Sequence, residues 1–328
     1  MRDRQPSLSV QHLNFAWFAM VMGLCGLSLA WMRAVPHWSG ALQVSMVVGV
    51  AAVVVFLLLL VATVWRGLRY PAAVWADARH PVRQVFVAAL PSSLVLIATV
   101  AVAHGGYSLW ADGAWMLGSS GLLLVTVGVV KRWFQPGMSA DDFWAAMTPA
   151  LFIPVVGHVL PALAGVSLGH PVWAAAQYGI AAVLWPVSLA LVLVRIGQVG
   201  LWPERMLAST FITIAPPSVL ALSGVQLGAP DVLVHMLWGV ALLFTGVSMT
   251  VFRRSIAQPF GMPFWGLSFP LAASAALSLH LAPVQGLAHG LALLWLGWVT
   301  LVVGALLCAT VLGLLQGRLL VPEVQPHP

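Results

Sequence analysis

Positive charge is confined to alternate intervals along this chain. Ten apolar segments, each near the ~20 residues that cross a bilayer as a helix, are separated by short polar intervals. When successive intervals are assigned to alternate sides of a membrane, every Lys and Arg except Arg33 falls on one side. Excess Lys and Arg marks cytoplasmic loops, because cations are difficult to move outward. The pattern therefore predicts ten spans with both termini in the cytoplasm.

The composition excludes a soluble fold. The chain is 61% hydrophobic and 7% charged, whereas soluble domains are roughly 25% charged. Spanning helices satisfy every backbone polar group internally, so they are the default structure in lipid. We predict an all-α membrane protein in which residues 1–328 form a single integral membrane domain. The net charge of +6 sits in pairs between apolar segments, which indicates loop ends and no nucleic-acid partner.

The predicted spans differ in composition, and the difference alternates. Spans three, five, seven and nine contain prolines and small residues, span one contains glycines and a serine, and the even spans are mostly bulky aliphatic. A proline inside a helix frees a carbonyl, which must face protein or a water-filled cavity in lipid. We therefore predict five helical hairpins, with odd helices inside around a central pore and even helices facing lipid. The predicted spans are 12–33, 43–65, 84–104, 113–130, 146–167, 172–194, 206–228, 232–252, 263–282 and 286–315.

The small residues, the prolines and one histidine of the odd spans are the candidates for the pore lining. For any single span, tight helix packing explains them as well as a pathway does, but the alternation favours a pathway. The candidates are Gly23, Gly26, Ser28, Pro91, Ser92, Ser93, Pro154, Gly157, His158, Pro216, Ser218, Ser268, Pro270 and Ser274.

The acidic residues all lie outside the spans or at their ends. Cation transport through carboxylate sites and carboxylate proton relays require Asp or Glu within the bundle, so the pattern disfavours both. A neutral pathway with basic ends suits anions, because cytoplasmic bases raise the local anion concentration. We predict His80, Arg83 and Arg205 at the cytoplasmic mouth of the pore.

Histidines leave two interpretations open. His158 lies within span five, where an ionisable group is a functional candidate by default. The other interpretation is that His158 is a neutral imidazole that bonds a neighbouring helix. Histidines on facing helices also permit haem ligation, so a membrane redox subunit is an alternative from another class. The His-x-x-x-His spacing of a catalytic metal site does not occur. We predict no cofactor, no metal and no enzymatic activity.

Several segments carry a family likeness. Residues 22–31 read MGLCGLSLAW, His80 to Arg83 read His-Pro-x-Arg, span five contains Pro149 and Pro154, and residues 265–272 read WGLSFPLA. In this order and spacing they resemble the tellurite-resistance/dicarboxylate transporter family, which includes the bacterial TehA proteins and the plant slow anion channels. The likeness covers nearly the whole chain. Two positions depart from the family pattern, because Val21 replaces a proline and Trp185 stands where some members have a glutamate.

The resemblance implies a specific molecule. It implies five hairpins in quasi-fivefold array, a homotrimer in the bacterial inner membrane, and Phe269 as a plug of the pore. A bulky ring among small residues blocks ions by steric exclusion and dewetting. We expect an anion channel or facilitator for small inorganic or organic anions, gated by Phe269. The alternative with the same fold is a proton-linked exporter of C4-dicarboxylate, sulfite or tellurite.

Overall fold

Ten helical crossings account for most of the chain. The computed structural model describes residues 9–134 and 139–321. Within these ranges, nine helices are long and apolar enough to cross a bilayer, and a bent pair of helices makes a tenth span if counted as one. In chain order the ten are Phe15–Arg33, Ala41–Arg69, Arg83–Gly105, Leu109–Trp133, Ala140–Ala146 with Pro149–Gly165, Pro171–Val199, Glu204–Gln226, Asp231–Ile256, Met262–Leu281 and Leu287–Leu315. The predicted all-α membrane fold is confirmed.

Burial alternates along the chain as the composition predicts. In the most apolar stretches of spans one, three, seven and nine, between 67% and 94% of residues are buried, against 17% to 33% in the even spans. In the bent fifth span, residues 149–165 are buried apart from the half-buried Ile153 and Leu163. The odd spans are therefore inner helices, and the even spans present their bulky aliphatic faces outward.

The inner spans form a closed ring. Each packs against the inner spans that precede and follow it, and span nine packs along span one to complete the circle. Each inner span also packs against the outer span that follows it in the chain, so the repeating unit is a helical hairpin. Because inner spans alternate with outer ones, all five run in the same direction. Their N-terminal ends meet at one end of the ring, and their C-terminal ends meet at the other.

Four inner spans begin with a 3-10 segment, and in span five such a segment begins the second of its two parts. These segments tighten the helix to three residues per turn, and the sequence gives no direct sign of them. They occur toward the same end of all five inner spans, which makes them a structural repeat of the hairpin unit. The segments are Phe15–Phe18, Arg83–Ala88, Pro149–Leu151, Glu204–Ile214 and Met262–Leu267.

Span five departs most from a straight helix. Its two parts meet at 72°, and a second 3-10 segment, Gly157–Val159, interrupts the longer part. Pro161, which follows that segment, has no N–H to continue the helical ladder. Its own carbonyl accepts a hydrogen bond of 3.0 Å from the Trp115 indole of span four. Span five thus has one proline, Pro149, at the start of its longer part and another, Pro161, directly before its last helical turn.

Basic residues gather at the end where the inner spans begin. We call this the basic end; it holds all the described Lys and Arg residues except Arg33, which closes span one at the opposite end. Residues 1–8 and 322–328, including Arg2 and Arg4, lie outside the described ranges, so the expected location of the termini concerns residues outside the structure.

Candidate functional site

A narrow cavity of about 60 Å³ lies inside the ring, among inner spans one, five, seven and nine. A water molecule needs ~10–15 Å³ of such space, so the cavity has room for only a few. Its described lining residues are Ala19, Met22, Phe152, Ile153, Val156, Gly157, Val159, Leu160, Ile212, Ala215, Pro216, Val219, Trp265, Gly266, Phe269 and Pro270.

These lining residues are all apolar or aromatic. Trp265 carries the one polar side-chain atom among them, and its indole N–H donates to Thr310 of span ten at 3.0 Å. A constriction with such walls holds water and ions poorly, because neither finds hydrogen-bond partners there, and it closes by dewetting. In its chemistry, the cavity is a hydrophobic constriction and lacks the groups of a catalytic centre.

Phe269 borders this cavity and rests on span one. A Cβ atom added to Gly26 would lie 2.9 Å from Cδ2 of the Phe269 ring. Real Cβ contacts are essentially never so close, so the ring occupies the space that the missing side chain leaves. Phe269 is half-buried, whereas its neighbours Ser268 and Pro270 are fully enclosed. The ring thus lies between the backbone of Gly26 and the open space of the cavity.

The turn of span one that precedes Gly26 explains why span nine approaches span one so closely. A Cβ on Gly23 would overlap Ser268, both Oγ and Cβ. Gly23 and Gly26 lie three residues apart and therefore on one helix face. They allow the two helices to meet without intervening side chains, as small residues do in membrane bundles. The glycines predicted as pore lining therefore contact span nine, and one of them contacts Phe269.

Three further predicted lining residues, Gly157, Pro216 and Pro270, border the cavity directly. Ser92 of span three lies behind the wall, with Oγ 3.2 Å from the position of a Cβ on Gly157. Spans one, five, seven and nine thus contribute lining residues, and span three supports the wall from behind.

The other predicted serines point their hydroxyl groups to backbone carbonyls. Serine in a helix commonly bonds the carbonyl three or four residues earlier, and this satisfies the hydroxyl in a dry environment. The bonds are Ser93 to Ala89 at 2.7 Å, Ser218 to Ile214 at 2.8 Å, Ser268 to Trp265 at 2.7 Å and Ser274 to Leu271 at 2.8 Å. Ser28 bonds Ser45 of span two, its Oγ donating to the Ser45 carbonyl at 2.8 Å.

The two remaining predicted prolines contact outer span four. The Pro91 carbonyl would lie 2.9 Å from a Cβ on Gly118, so span four needs a glycine there to approach. The Pro154 carbonyl lies 2.8 Å from Thr126 Oγ1. Both prolines are at helix contacts where the structure provides close packing or a hydroxyl partner.

His158 bonds outer helices on both sides of its ring. Its Nδ1 bonds Gln177 Oε1 of span six, and its Nε2 lies 2.9 Å from Thr126 Oγ1 of span four. Because an amide oxygen can only accept, Nδ1 carries the proton. His158 is fully buried and faces away from the cavity that its neighbour Gly157 lines. The imidazole thus bonds two neighbouring helices, and its role in the pathway stays a prediction.

The predicted mouth residues lie at the basic end. His80 Nδ1 accepts hydrogen bonds from the backbone N–H groups of Val82 and Arg83, at 3.1 and 3.3 Å. Arg83, the first residue of span three, pairs with Asp77 at 3.0 Å. Arg205 is exposed in the first turn of span seven. Each thus begins, or directly precedes, an inner helix.

A buried ion pair at this end was not predicted. Asp77, in the short helix Pro71–Arg79, lies 2.7 Å from Arg66, and the side chains are 1% and 3% exposed. Arg66 also donates from Nε to the Gln11 carbonyl at 2.9 Å. This pair ties the end of span two to the short helix and to the segment that precedes span one.

Sequence reasoning also missed most of the cavity wall. Met22, Phe152, Ile212 and Val219 are large apolar residues, and large apolar residues occur throughout every span. The only available sign was position, since each lies in an inner span near its 3-10 segment.

These features define a class of protein. A ring of five inner membrane helices encloses a hydrophobic constriction, with bases at one end and an aromatic ring in the wall. This is the construction of a channel or transporter for small solutes. The SLAC1 family, described as voltage-dependent anion channels, matches residues 12–315. The chain belongs to this family of anion channels and transporters.

Curated relatives agree with the family. The chain is 25% identical to the tellurite resistance protein TehA homolog of Haemophilus influenzae over 266 residues, which is 80% of this chain and 79% of the relative. It is 23% identical to an uncharacterized transporter of Methanocaldococcus jannaschii, covering 80% and 82%. It is 22% identical to the sulfite efflux pump SSU1 of Arthroderma benhamiae, with 82% of each chain covered.

Proposed function

We propose that the protein is an anion channel of the bacterial inner membrane that passes small anions through the ring of inner helices, with Phe269 as its gate. The observation that carries this proposal is the position of Phe269, whose ring borders the apolar cavity and rests on Gly26. A ring that is free on one side can leave the pathway by a side-chain rotation, without rearrangement of the helices.

The basic end supplies a reason for anion preference. All five inner helices begin there, and each helix N-terminus carries a partial positive charge of roughly half a unit. The bases at the same end add full charges, and together they raise the local concentration of anions. The wall itself is uncharged, so selectivity arises from the field at the mouth and from the pathway's diameter.

Reversal potentials test this function most directly. The purified protein is placed in a planar bilayer between unequal KCl solutions, and then between equal concentrations of different potassium salts. We expect the reversal potential to follow the chloride gradient and to shift when the anion is exchanged. A reversal potential that follows potassium, or an absence of current when Phe269 is also truncated, contradicts the proposal.

A second candidate has the same fold and a different mechanism. Relatives are named for tellurite resistance and for sulfite efflux, which favours an exporter of oxyanions. We consider it as a proton-linked carrier, with C4-dicarboxylates as the other candidate substrates. Flux through such a carrier saturates with substrate and follows the proton gradient. Flux through a channel rises in proportion to the voltage and proceeds without a proton gradient. Counterflow measurements in proteoliposomes distinguish the two.

Assembly and orientation belong to the same proposal. We expect a homotrimer in the lipid bilayer with the basic end in the cytoplasm, because Lys and Arg are retained there. Each protomer contains its own pathway, since the ring of inner spans is closed within one chain. Mass measurement in detergent and labelling of introduced cysteines from either side of the membrane test both points.

A further inference from the structure

Histidines replace permanent bases at the end opposite the basic end. Among the residues that the structure describes, this end carries one permanent cation, Arg33, and two acids, Asp112 and Asp231. The charged and titratable residues located there are Arg33, His37, His104, Tyr107, Asp112, His170, Asp231, His235, His280 and His289. All six histidines are exposed or half-buried, so protons from water reach them.

The charge of this end therefore depends on pH. With neutral histidines, one arginine and two aspartates give a formal charge of −1, and six protonated histidines bring it to as much as +5. Histidine is the side chain that ordinarily changes charge between pH 5 and pH 8. The basic end, in contrast, holds arginines and lysines that stay charged throughout this range.

The direction of the inner helices determines how this change of charge affects anions. All five inner spans end here, and helix C-termini carry partial negative charge, which repels anions. The last turns of spans one, three and nine contain Arg33, His104 and His280. At neutral pH, Arg33 is thus the one permanent cation among the described residues of this end that offsets the partial negative charges of five helix C-termini.

The hydrogen bonds of His104 accommodate a proton. Its Nδ1 lies 2.9 Å from the Val100 carbonyl and therefore donates, while its Nε2 lies 3.0 Å from Ser45 Oγ. The single hydroxyl proton of Ser45 also faces the Ser28 carbonyl at 2.7 Å, so it cannot serve both partners. A protonated Nε2 donates to Ser45 and leaves the hydroxyl proton for Ser28, which adds one hydrogen bond.

His170, His37 and His289 also have room for a proton. His170 Nε2 lies 2.7 Å from Asp112 Oδ1, so protonation makes an ion pair that neutralises this acid. His37 and His289 bond through their Nδ1 atoms at 2.9 Å. This pair takes up one proton at a free Nε2 with the bond intact, and a second proton only by separating.

We infer that these histidines form a proton-controlled anion-attracting mouth at the opposite end of the pathway, which acid converts from repelling to attracting small anions. The inference rests on the proposed anion-channel function. It gives the two ends different roles, because the basic end attracts anions at every physiological pH and the histidine end does so only in acid.

Chloride current with pH varied on one side tests the inference. In low salt, near 0.01 M, where electrostatic screening acts over about 30 Å, we expect acidification of the histidine side from about pH 8 to about pH 5 to raise the current by about ten-fold. Acidification of the basic side has little effect, and about 1 M salt removes most of the response, because screening then acts within about 3 Å. A response that persists in high salt, or that is equal from both sides, overturns the inference.

Substitutions test which histidines carry the acid-dependent charge. The double change His104→Gln and His280→Gln is expected to lose most of the acid response, and His104→Arg with His280→Arg to give a high current at every pH. His12→Gln, at the basic end, is the matched control and keeps the full response. An unchanged response in the double Gln variant contradicts the assignment, provided that its current near pH 8 shows a folded channel.

Iodide quenching separates this inference from the proposed function. A dye on Val284→Cys, in the exposed loop before span ten, reports local anion concentration in a chain whose Cys308 is replaced by Ala. The ratio of iodide to acrylamide quenching should rise several-fold in acid, and much less in the double Gln variant. A rising ratio without any chloride current contradicts the channel and supports the mouth, whereas a ratio that is constant with pH overturns the mouth.

Discussion

Phe269 lies in a space that exists because residue 26 is glycine. A Cβ on Gly26 would lie 2.9 Å from Phe269 Cδ2, and Phe269 also borders the cavity. Any group added at residue 26 must therefore push the ring toward the cavity. This contact links the proposed gate to the helix that opens the chain.

Gly26→Ala is expected to narrow the pathway. The added methyl group displaces the ring by a few tenths of an ångström toward the cavity, so the chloride conductance of the parent protein should fall several-fold. In a Phe269→Ala background the same methyl group has no ring to displace and should change the conductance little. Gly239→Ala, where a Cβ meets nothing within 4 Å, is the control. Equal effects of Gly26→Ala in both backgrounds contradict the proposed contact.

Gly23→Ala should destabilise the protein without acting on the gate. Its Cβ would overlap Ser268, and overpacking of this kind typically costs about 1–3 kcal/mol. We expect a lower thermal unfolding temperature in detergent. Adding Ser268→Gly removes the obstructing side chain and should restore most of the loss. Failure of the second change to restore stability would show that the two helices are not in contact at this point.

His158→Leu is expected to destabilise the fold through its partners. Removal of the imidazole leaves the buried Gln177 Oε1 without its hydrogen-bond partner, and a buried polar atom left in this way costs about 1–3 kcal/mol. Combining His158→Leu with Gln177→Leu should cost less than the sum of the single changes, because the two residues share one bond. Unfolding in detergent measures the cycle. Strictly additive losses would argue against the bond, and loss of conductance at full stability would assign His158 to the pathway.

Asp77→Asn tests the buried ion pair at the basic end. Arg66 then remains charged and 3% exposed, and breaking a buried pair in this way typically costs about 3–5 kcal/mol. Asp141→Asn, on an exposed residue in the short helix Ala140–Ala146, should have little effect. Thermal unfolding in low and high salt measures both variants. Equal stability of the two variants would show that Asp77 contributes no more than a surface charge.

The sequence contained most of the architecture because membrane helices are specified by simple rules. Span number follows from hydrophobic length, and the inner or outer position of each span follows from proline and small residues. The position of Phe269 was expected from a resemblance, and the structure places its ring at a cavity wall.

The parts that escaped prediction depend on contacts between distant segments. The Asp77–Arg66 pair and the partners of His158 each join different helices. No direct sequence signal marks the 3-10 segments of the inner spans. The serines were expected at the pathway, but several bond carbonyls of their own helix instead, because a dry interior requires each hydroxyl to find a partner. Large apolar residues such as Ile212 and Val219 line the cavity, and composition alone does not separate them from other core residues.

Single-channel recording of Phe269→Ala tests the central claim most directly. The variant is compared in planar bilayers with the parent protein and with Phe244→Ala, which removes a half-buried ring from outer span eight. If Phe269 closes the pathway, its truncation should raise the chloride conductance by at least about ten-fold, and Phe244→Ala should leave the conductance at the parent level. A conductance of Phe269→Ala equal to that of the parent, in protein that unfolds at the same temperature, would contradict the account.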